Sequence, residues 1–222
     1  MNTARQALLA LPELDHSLLS VVKSNKPDVF GDIYQDSFNM VVWKRSLKEV
    51  HTYCTSLISS APQLNIKDQG APEHIEKLLI RILPDDTNKE VFIKDVRTLM
   101  DMFACLFDLS EVGLRLAVLS KAMCPRFHVD NIPCRLITTY LGQGSEWLHD
   151  AHAVRAELGH AVKWTEKNTG LASFGTVNQL NAGDVALMKG NTWPTAMGRG
   201  VVHRSPSASV DSPRLFLSLD MI

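Results

Sequence analysis

The 222-residue sequence predicts an α+β fold, with a helical first half and a compact β domain in the second. Three observations lead there. Apolar residues recur near helical spacing through residues 1–123. Short apolar runs separated by Gly, Pro, Asn and Ser follow over 124–222. At 45% hydrophobic and 21% charged, the chain carries enough apolar material for a sizeable core.

The opening MNTARQALLALPELDHS is broken by Pro12, Glu13 and Asp15, too soon for a secretory apolar core, and reads as an amphipathic helix. Residues 40–60 place Val42, Leu47, Val50, Cys54, Leu57 and Ile58 near helical spacing. Residues 73–82 follow Pro72, a start signal, and stop before Pro84. Residues 88–107 carry a stripe of Val91, Ile93, Val96, Leu99, Met100, Phe103 and Leu106, and 111–123 run from Ser110 as N-cap to Pro125. Trp43, Phe92, Phe103 and Phe107 read as core, and His74 as a solvated first-turn residue. The helices are expected to cover the open face or edge of the β domain, as a separate region or within one integrated domain.

Beyond residue 123, strands are expected at 127–130, 135–141, 185–188, 200–203 and 215–220. Asn181 to Asp184 is a turn, and 145–176 is a long loop with a little helix. A formal charge of -1 gives no electrostatic case for nucleic acid or an anionic membrane. The longest apolar runs fall far short of the roughly 20 residues that span a bilayer. Cys54, Cys105, Cys124 and Cys134 are too few for a disulfide framework in a chain of this size. A cytoplasmic protein with no nucleic-acid or membrane partner is expected.

The chemistry concentrates in FHVDNIPCRLITTYLGQGSEWL and VVHRSPSASVDSPRLFLSLD. His128 and Asp130 stand one residue apart at a strand end, so the period-2 geometry points both to one face. His203 closes a later strand. Two imidazoles and one carboxylate on one side of an ion leave open positions opposite, the arrangement of non-haem Fe(II) oxygenases. Arg214, eleven residues after His203, starts the next strand, and its fork suits bidentate pairing with a carboxylate.

This pattern, His128-x-Asp130, then His203, then Arg214, resembles the iron- and 2-oxoglutarate-dependent dioxygenases. The resemblance covers roughly residues 120–222 and implies a double-stranded β-helix, or jelly roll. It implies that His128, Asp130 and His203 bind Fe(II), that Arg214 holds the distal carboxylate of 2-oxoglutarate, and that a hydroxyl from Thr138 or Tyr140 assists. GDVALMKG resembles the strand and turn before the distal His. IYQDSFNMVVWKR, RLITTYLGQGSEWL and VVHRSPS resemble, over nearly the full length, a bacterial family that is a domain of unknown function, associated with zinc-homeostasis gene neighbourhoods.

Plainer readings stand beside these. His128 and Asp130 also fit a metal-free hydrogen-bonded pair, His203 a solvent-facing histidine, and Arg214 a surface salt bridge. Arg135 and Arg204 are alternative anion binders if the strand phase is off by one. Cys124 and Cys134 bracket the HxD, and thiolates favour zinc over Fe(II), although both also suit a core. His149, His152 and His160 form a second group in the long loop, where a solvated segment is the plainer reading. Trp147, Trp164 and Trp193 suit either a pocket lining or core packing. The expectation is therefore an Fe(II)/2-oxoglutarate-dependent dioxygenase hydroxylating a substrate the sequence does not name. Its alternatives are a jelly-roll zinc-binding protein without oxygenase activity and an interaction module that has lost the co-substrate.

Overall fold

The computed structural model describes residues 20–158, 170–196 and 198–222. The expected N-terminal helix falls outside those residues, as do His160 and Trp164. Two strands, β1 (Ser20–Ser24) and β2 (Phe38–Trp43), flank a 3-10 segment over Pro27–Tyr34. Helix α1 (His51–Ser60), strand β3 (Asn65–Gly70), helices α2 (Pro72–Ile82) and α3 (Lys89–Phe107) and strand β4 (Val112–Leu119) follow. Then come β5 (Cys134–Leu141), β6 (Glu146–Trp147), β7 (Asn178–Gln179), β8 (Val185–Lys189), β9 (His203–Arg204) and β10 (Arg214–Met221).

Helices α2 and α3 form where their periodicity places them. Pro72 opens α2, which buries Ile75 and Leu79 four residues apart. Helix α3 buries Phe92, Ile93, Val96, Leu99, Met100 and Phe103, an i, i+3, i+4, i+7 stripe.

The helix expected over residues 40–60 forms only as α1 over His51–Ser60, its first residues being a strand, and the helix expected over 111–123 is a strand instead. Residues 38–43 form β2 because Phe38, Val41, Val42 and Trp43 are β-branched or aromatic and the run is buried on both faces. Such a short apolar run has no period that separates strand from helix. Residues 112–119 form β4, where Val112, Leu114, Leu116 and Val118 alternate strictly, a period of two. The helical arrangement expected for residues 1–123 is thereby corrected, over the described residues 20–123, to a mixture of strands and helices.

The larger sheet has the order β1-β2-β8-β5-β10-β4-β3, and the smaller one β7-β6-β9. In the run β4, β10, β5 and β8, each strand is antiparallel to its neighbour. The chain passes from β4 to the His128 bridge of the smaller sheet, to β5, to β6 and β7, then to β8, β9 and β10. This alternation between two facing sheets is the path of a jelly roll. Strands β2 and β3 extend the larger sheet on both flanks, so strands from before and after residue 123 interleave in one sheet.

One face of the larger sheet carries Leu116, Leu136, Leu187 and Leu217 against Tyr53, Leu57, Phe92, Val96 and Leu99 of the helices. Its other face carries Met40, Val42, Ile137, Met188 and Phe216 against Trp147 of the smaller sheet and Val201, which precedes β9. Among the described residues, no helix is long and apolar enough to cross a membrane.

Candidate metal centre

His128 and His203 exchange both backbone hydrogen bonds, each N–H donating to the other's carbonyl at 3.0 Å. Directly opposed residues in an antiparallel pair share a face. The two imidazoles accordingly lie with ring centroids 4.5 Å apart. Asp130, two residues beyond His128, returns to that face. Its Oδ1 lies 3.7 Å from His128 Nε2 and its Oδ2 lies 3.4 Å from His203 Nε2. One ligand atom from each of the three side chains lies within 4.8 Å of the others, a spacing that could hold one ion.

Two glycines make this approach possible. Gly190 packs so closely on the turn after Asp130 that a Cβ there would meet Ile132 O at 2.0 Å. A Cβ on Gly200 would meet Val129 Cγ1 at 2.6 Å. Asn191 N–H donates to Asp130 O at 2.9 Å, which fixes the turn against the end of β8.

The imidazoles are held in one orientation. His128 Nδ1 lies 2.9 Å from Arg126 O, and His203 Nδ1 lies 3.1 Å from Val201 O. A carbonyl only accepts, so both Nδ1 atoms carry a proton, and Nε2 is the ring nitrogen that each histidine turns toward Asp130. Burial holds His203 well below the ordinary histidine range, against the pull of the Asp130 carboxylate. Arg135 steadies that carboxylate, with Nη1 donating to Asp130 Oδ2 at 2.8 Å.

Arg214 is 1% exposed and lies on the same face of the larger sheet, with its guanidinium 5.4 Å from the Phe216 ring centroid. Its Nη2 donates to Thr139 Oγ1 at 3.1 Å and to Ser145 Oγ at 3.4 Å. Its Nε and Nη1 are buried with no hydrogen-bond partner, and among the described residues it makes no salt bridge. Burial lowers it to about 10, and Glu146 pulls it back upward. It remains a cation at neutral pH. Ser145 and Phe216 also line a cavity of about 390 Å³ together with His128, His203 and Arg135.

The hydroxyls expected beside Arg214 are elsewhere. Thr138 faces the helical layer, opposite Leu217. Tyr140 does too, donating to Asp95 Oδ2 at 2.7 Å within a cluster that includes Arg45. Thr139 supplies the hydroxyl, because odd-numbered residues of β5 face the centre as far as the bulge opposite Leu215 and Phe216. Of the other candidates, Arg204 pairs with Glu146 at 2.5 Å and Arg135 with both Asp130 and Asp220. Cys134 is buried on the helix-facing side of β5, and exposed Cys124 lines the cavity. His149 packs between Trp147 and His152, and burial lowers its pKa. Sequence reasoning missed the service Arg135, Thr139 and Ser145 give to this site. The first two could have been read from the parity they share on β5.

A family model described as Protein of unknown function (DUF1826) matches residues 24–220. No curated protein matches the sequence. The fold is similar to a solved prolyl-4-hydroxylase from Pseudomonas putida, with 10% identity, 86% of this chain and 95% of that chain covered, and a TM-score of 0.44. It is similar to a bsmA homolog from Methylobium petroleophilum, with 11% identity, coverage of 86% and 90%, and a TM-score of 0.44. The Fe(II)/(alpha)ketoglutarate-dependent dioxygenase TqaL compares at 12% identity, coverage of 88% and 89%, and a TM-score of 0.44.

Proposed function

We propose that this chain, which belongs to the DUF1826 family, is an Fe(II)- and 2-oxoglutarate-dependent oxygenase with its centre at His128, Asp130 and His203. The observation that carries this reading is Arg214, a buried cation with two unpartnered nitrogens on the face of the larger sheet that looks onto the smaller sheet bearing His128 and His203. An uncompensated buried charge costs several kcal/mol, an expense a protein tolerates where a ligand of opposite charge completes the site. A dicarboxylate that reaches from the His–Asp–His group to Arg214 meets that need.

The donor set fits Fe(II). Two neutral imidazoles and a carboxylate grouped on one side suit a ferrous ion with open positions for a co-substrate and oxygen. The bound iron supplies the oxidising chemistry, and the chain supplies placement. His128 and His203 present Nε2 because backbone carbonyls occupy Nδ1. Arg135 fixes the rotamer of Asp130. Thr139 and Ser145 aim the Arg214 fork, and Phe216 shields its face from water.

The test is an anaerobic titration of metal-free protein with Fe(II) and then 2-oxoglutarate, followed by visible absorption. A metal-to-ligand charge-transfer band is expected, and its loss in Arg214→Gln. Fe(II) binding with no band on adding 2-oxoglutarate would sink the oxygenase reading.

A further inference from the structure

The cavity beside the metal-ligand set has a second concentration of positive charge, away from Arg214. Lys67 of β3 and Arg115 of β4 are direct cross-strand partners, so their side chains rise from the same face of the sheet. That face is the one bearing Ser218 and Ile137, which follow in register on β10 and β5. All four residues line the cavity that His128 and His203 also line. Lys67 is exposed at the rim, and Arg115 is half-buried further in.

Like charges directly opposite one another destabilise a sheet unless something offsets them. The acids nearby are engaged elsewhere. Asp220 is held by Arg135 through both carboxylate oxygens. Asp68 also lines the cavity, but it follows Lys67 on β3 and so alternates to the other face, where its carboxylate lies 3.5 Å from His74. Among the described residues, neither Lys67 nor Arg115 makes a salt bridge, and Arg115 Nε is buried with no hydrogen-bond partner. The other cationic side chains of the cavity wall, Arg135 and Arg204, have their carboxylates. The uncompensated charge of this wall is therefore the Lys67–Arg115 pair.

We propose that Lys67 and Arg115 bind an anionic group, a carboxylate or a phosphate, on the substrate. This rests on the oxygenase reading and gives it a substrate class: a small acid whose charged end lies on β3 and β4 and whose other end reaches the metal centre. Ser218, beside Arg115, adds a hydroxyl donor to the same row. Arg214 is four residues from Ser218 along β10, about 13 Å at roughly 3.3 Å per residue. Co-substrate and substrate anions thus have separate anchors.

The test titrates inorganic phosphate and, separately, acetate into Fe(II)- and 2-oxoglutarate-loaded protein under argon, read by calorimetry. Wild type, the Lys67→Gln/Arg115→Gln double variant, Arg115→Lys and Arg214→Gln are compared. At least one anion is expected to bind wild type, about tenfold weaker in the double variant, and nearly unchanged in Arg115→Lys, whereas Arg214→Gln is followed by the 2-oxoglutarate band alone. The tighter anion identifies the substrate group. Removing a like-charge pair is expected to leave the thermal midpoint level or higher, so misfolding does not mimic the result. Anion binding unaltered in the double variant, or absent from wild type, overturns the proposal. Loss of the 2-oxoglutarate band in the double variant with retention in Arg214→Gln also overturns it, because the pair would then anchor the co-substrate. Pair-dependent anion binding with no 2-oxoglutarate band in any form removes the oxygenase reading and leaves the anion subsite standing.

Discussion

Arg135 holds Asp130 and Asp220 at once, with Nη1 donating to Asp130 at 2.8 Å and Nε and Nη2 donating to Asp220 at 2.6 and 2.9 Å. A candidate metal ligand at the edge of the smaller sheet is thereby tied to β10 of the larger one. Arg135→Gln should free the Asp130 carboxylate and weaken Fe(II) binding by about 10–100-fold, the usual cost of losing a ligand's orienting partner. Competition against a coloured chelator checks it. Unchanged affinity would mean that the histidines and the backbone turn alone position Asp130.

His203→Ala removes one of three ligands. Stoichiometric Fe(II) binding should vanish, and with it the rise in thermal midpoint on adding the metal, since a ligand stabilises only the state it binds. A metal-dependent rise that survives the substitution would refute the ligand assignment.

Arg214→Met is expected to separate stability from function. Replacing an unneutralised buried cation by an apolar side chain of similar length should leave the protein without co-substrate equally stable or more stable, by about 1–2 kcal/mol. The same variant should show no 2-oxoglutarate band. Urea midpoints and absorption together decide it, and a large loss of stability would show that Arg214 is compensated within the fold.

The two faces of β5 make opposite predictions. Thr139→Val should weaken 2-oxoglutarate binding several-fold, because the hydroxyl that aims Arg214 is gone. Tyr140→Phe should leave that binding alone and lower stability by about 1–3 kcal/mol, because a buried charge-assisted bond to Asp95 is lost. Reversed effects would put the centre on the wrong side of the sheet.

Thiol reactivity tests the role of the cysteines. Burial pushes the Cys54 thiol up to about 12 and raises that of Cys134 as well, whereas Cys105 and Cys124 are exposed. Alkylation near pH 8 should modify Cys105 and Cys124 quickly and spare the buried pair. Metal should not change this pattern. Protection of Cys124 by metal would favour a thiolate ligand and therefore zinc.

His203 was legible only through the spacing of the resembled family. The pairing of His128 with Asp130 was legible because parity is local in extended backbone, although the expected strand over 127–130 is only a single bridge at His128. The helices α2 and α3 were legible for the same reason, through Pro72 and the stripe from Phe92 to Phe103. The strands β2 and β4 were not. The run from Phe38 to Trp43 is apolar throughout, and only its place between β1 and β8 makes it a strand. In β4 the alternation is present, but Ser110 and Pro125 resemble helix ends and point to the wrong period. Thr138 and Tyr140 face the helices and Thr139 faces Arg214, a phase of one residue that depends on where β5 begins and on its bulge against β10.

The interleaving of early and late strands has a consequence for synthesis. Val42 of β2 finds its partner at Ala186 of β8, and Leu116 of β4 finds Leu217 of β10. At about 5–20 residues per second, the ribosome delivers the first half of the sheet many seconds before the strands that bury it. Through that interval the nascent chain has only β1 for β2 and β3 for β4, and the other edge of each strand stays open. Such long-range pairing folds slowly, on the order of milliseconds to seconds. A chain stopped near residue 123 would hold an open, apolar edge with nothing to close it, a template for aggregation.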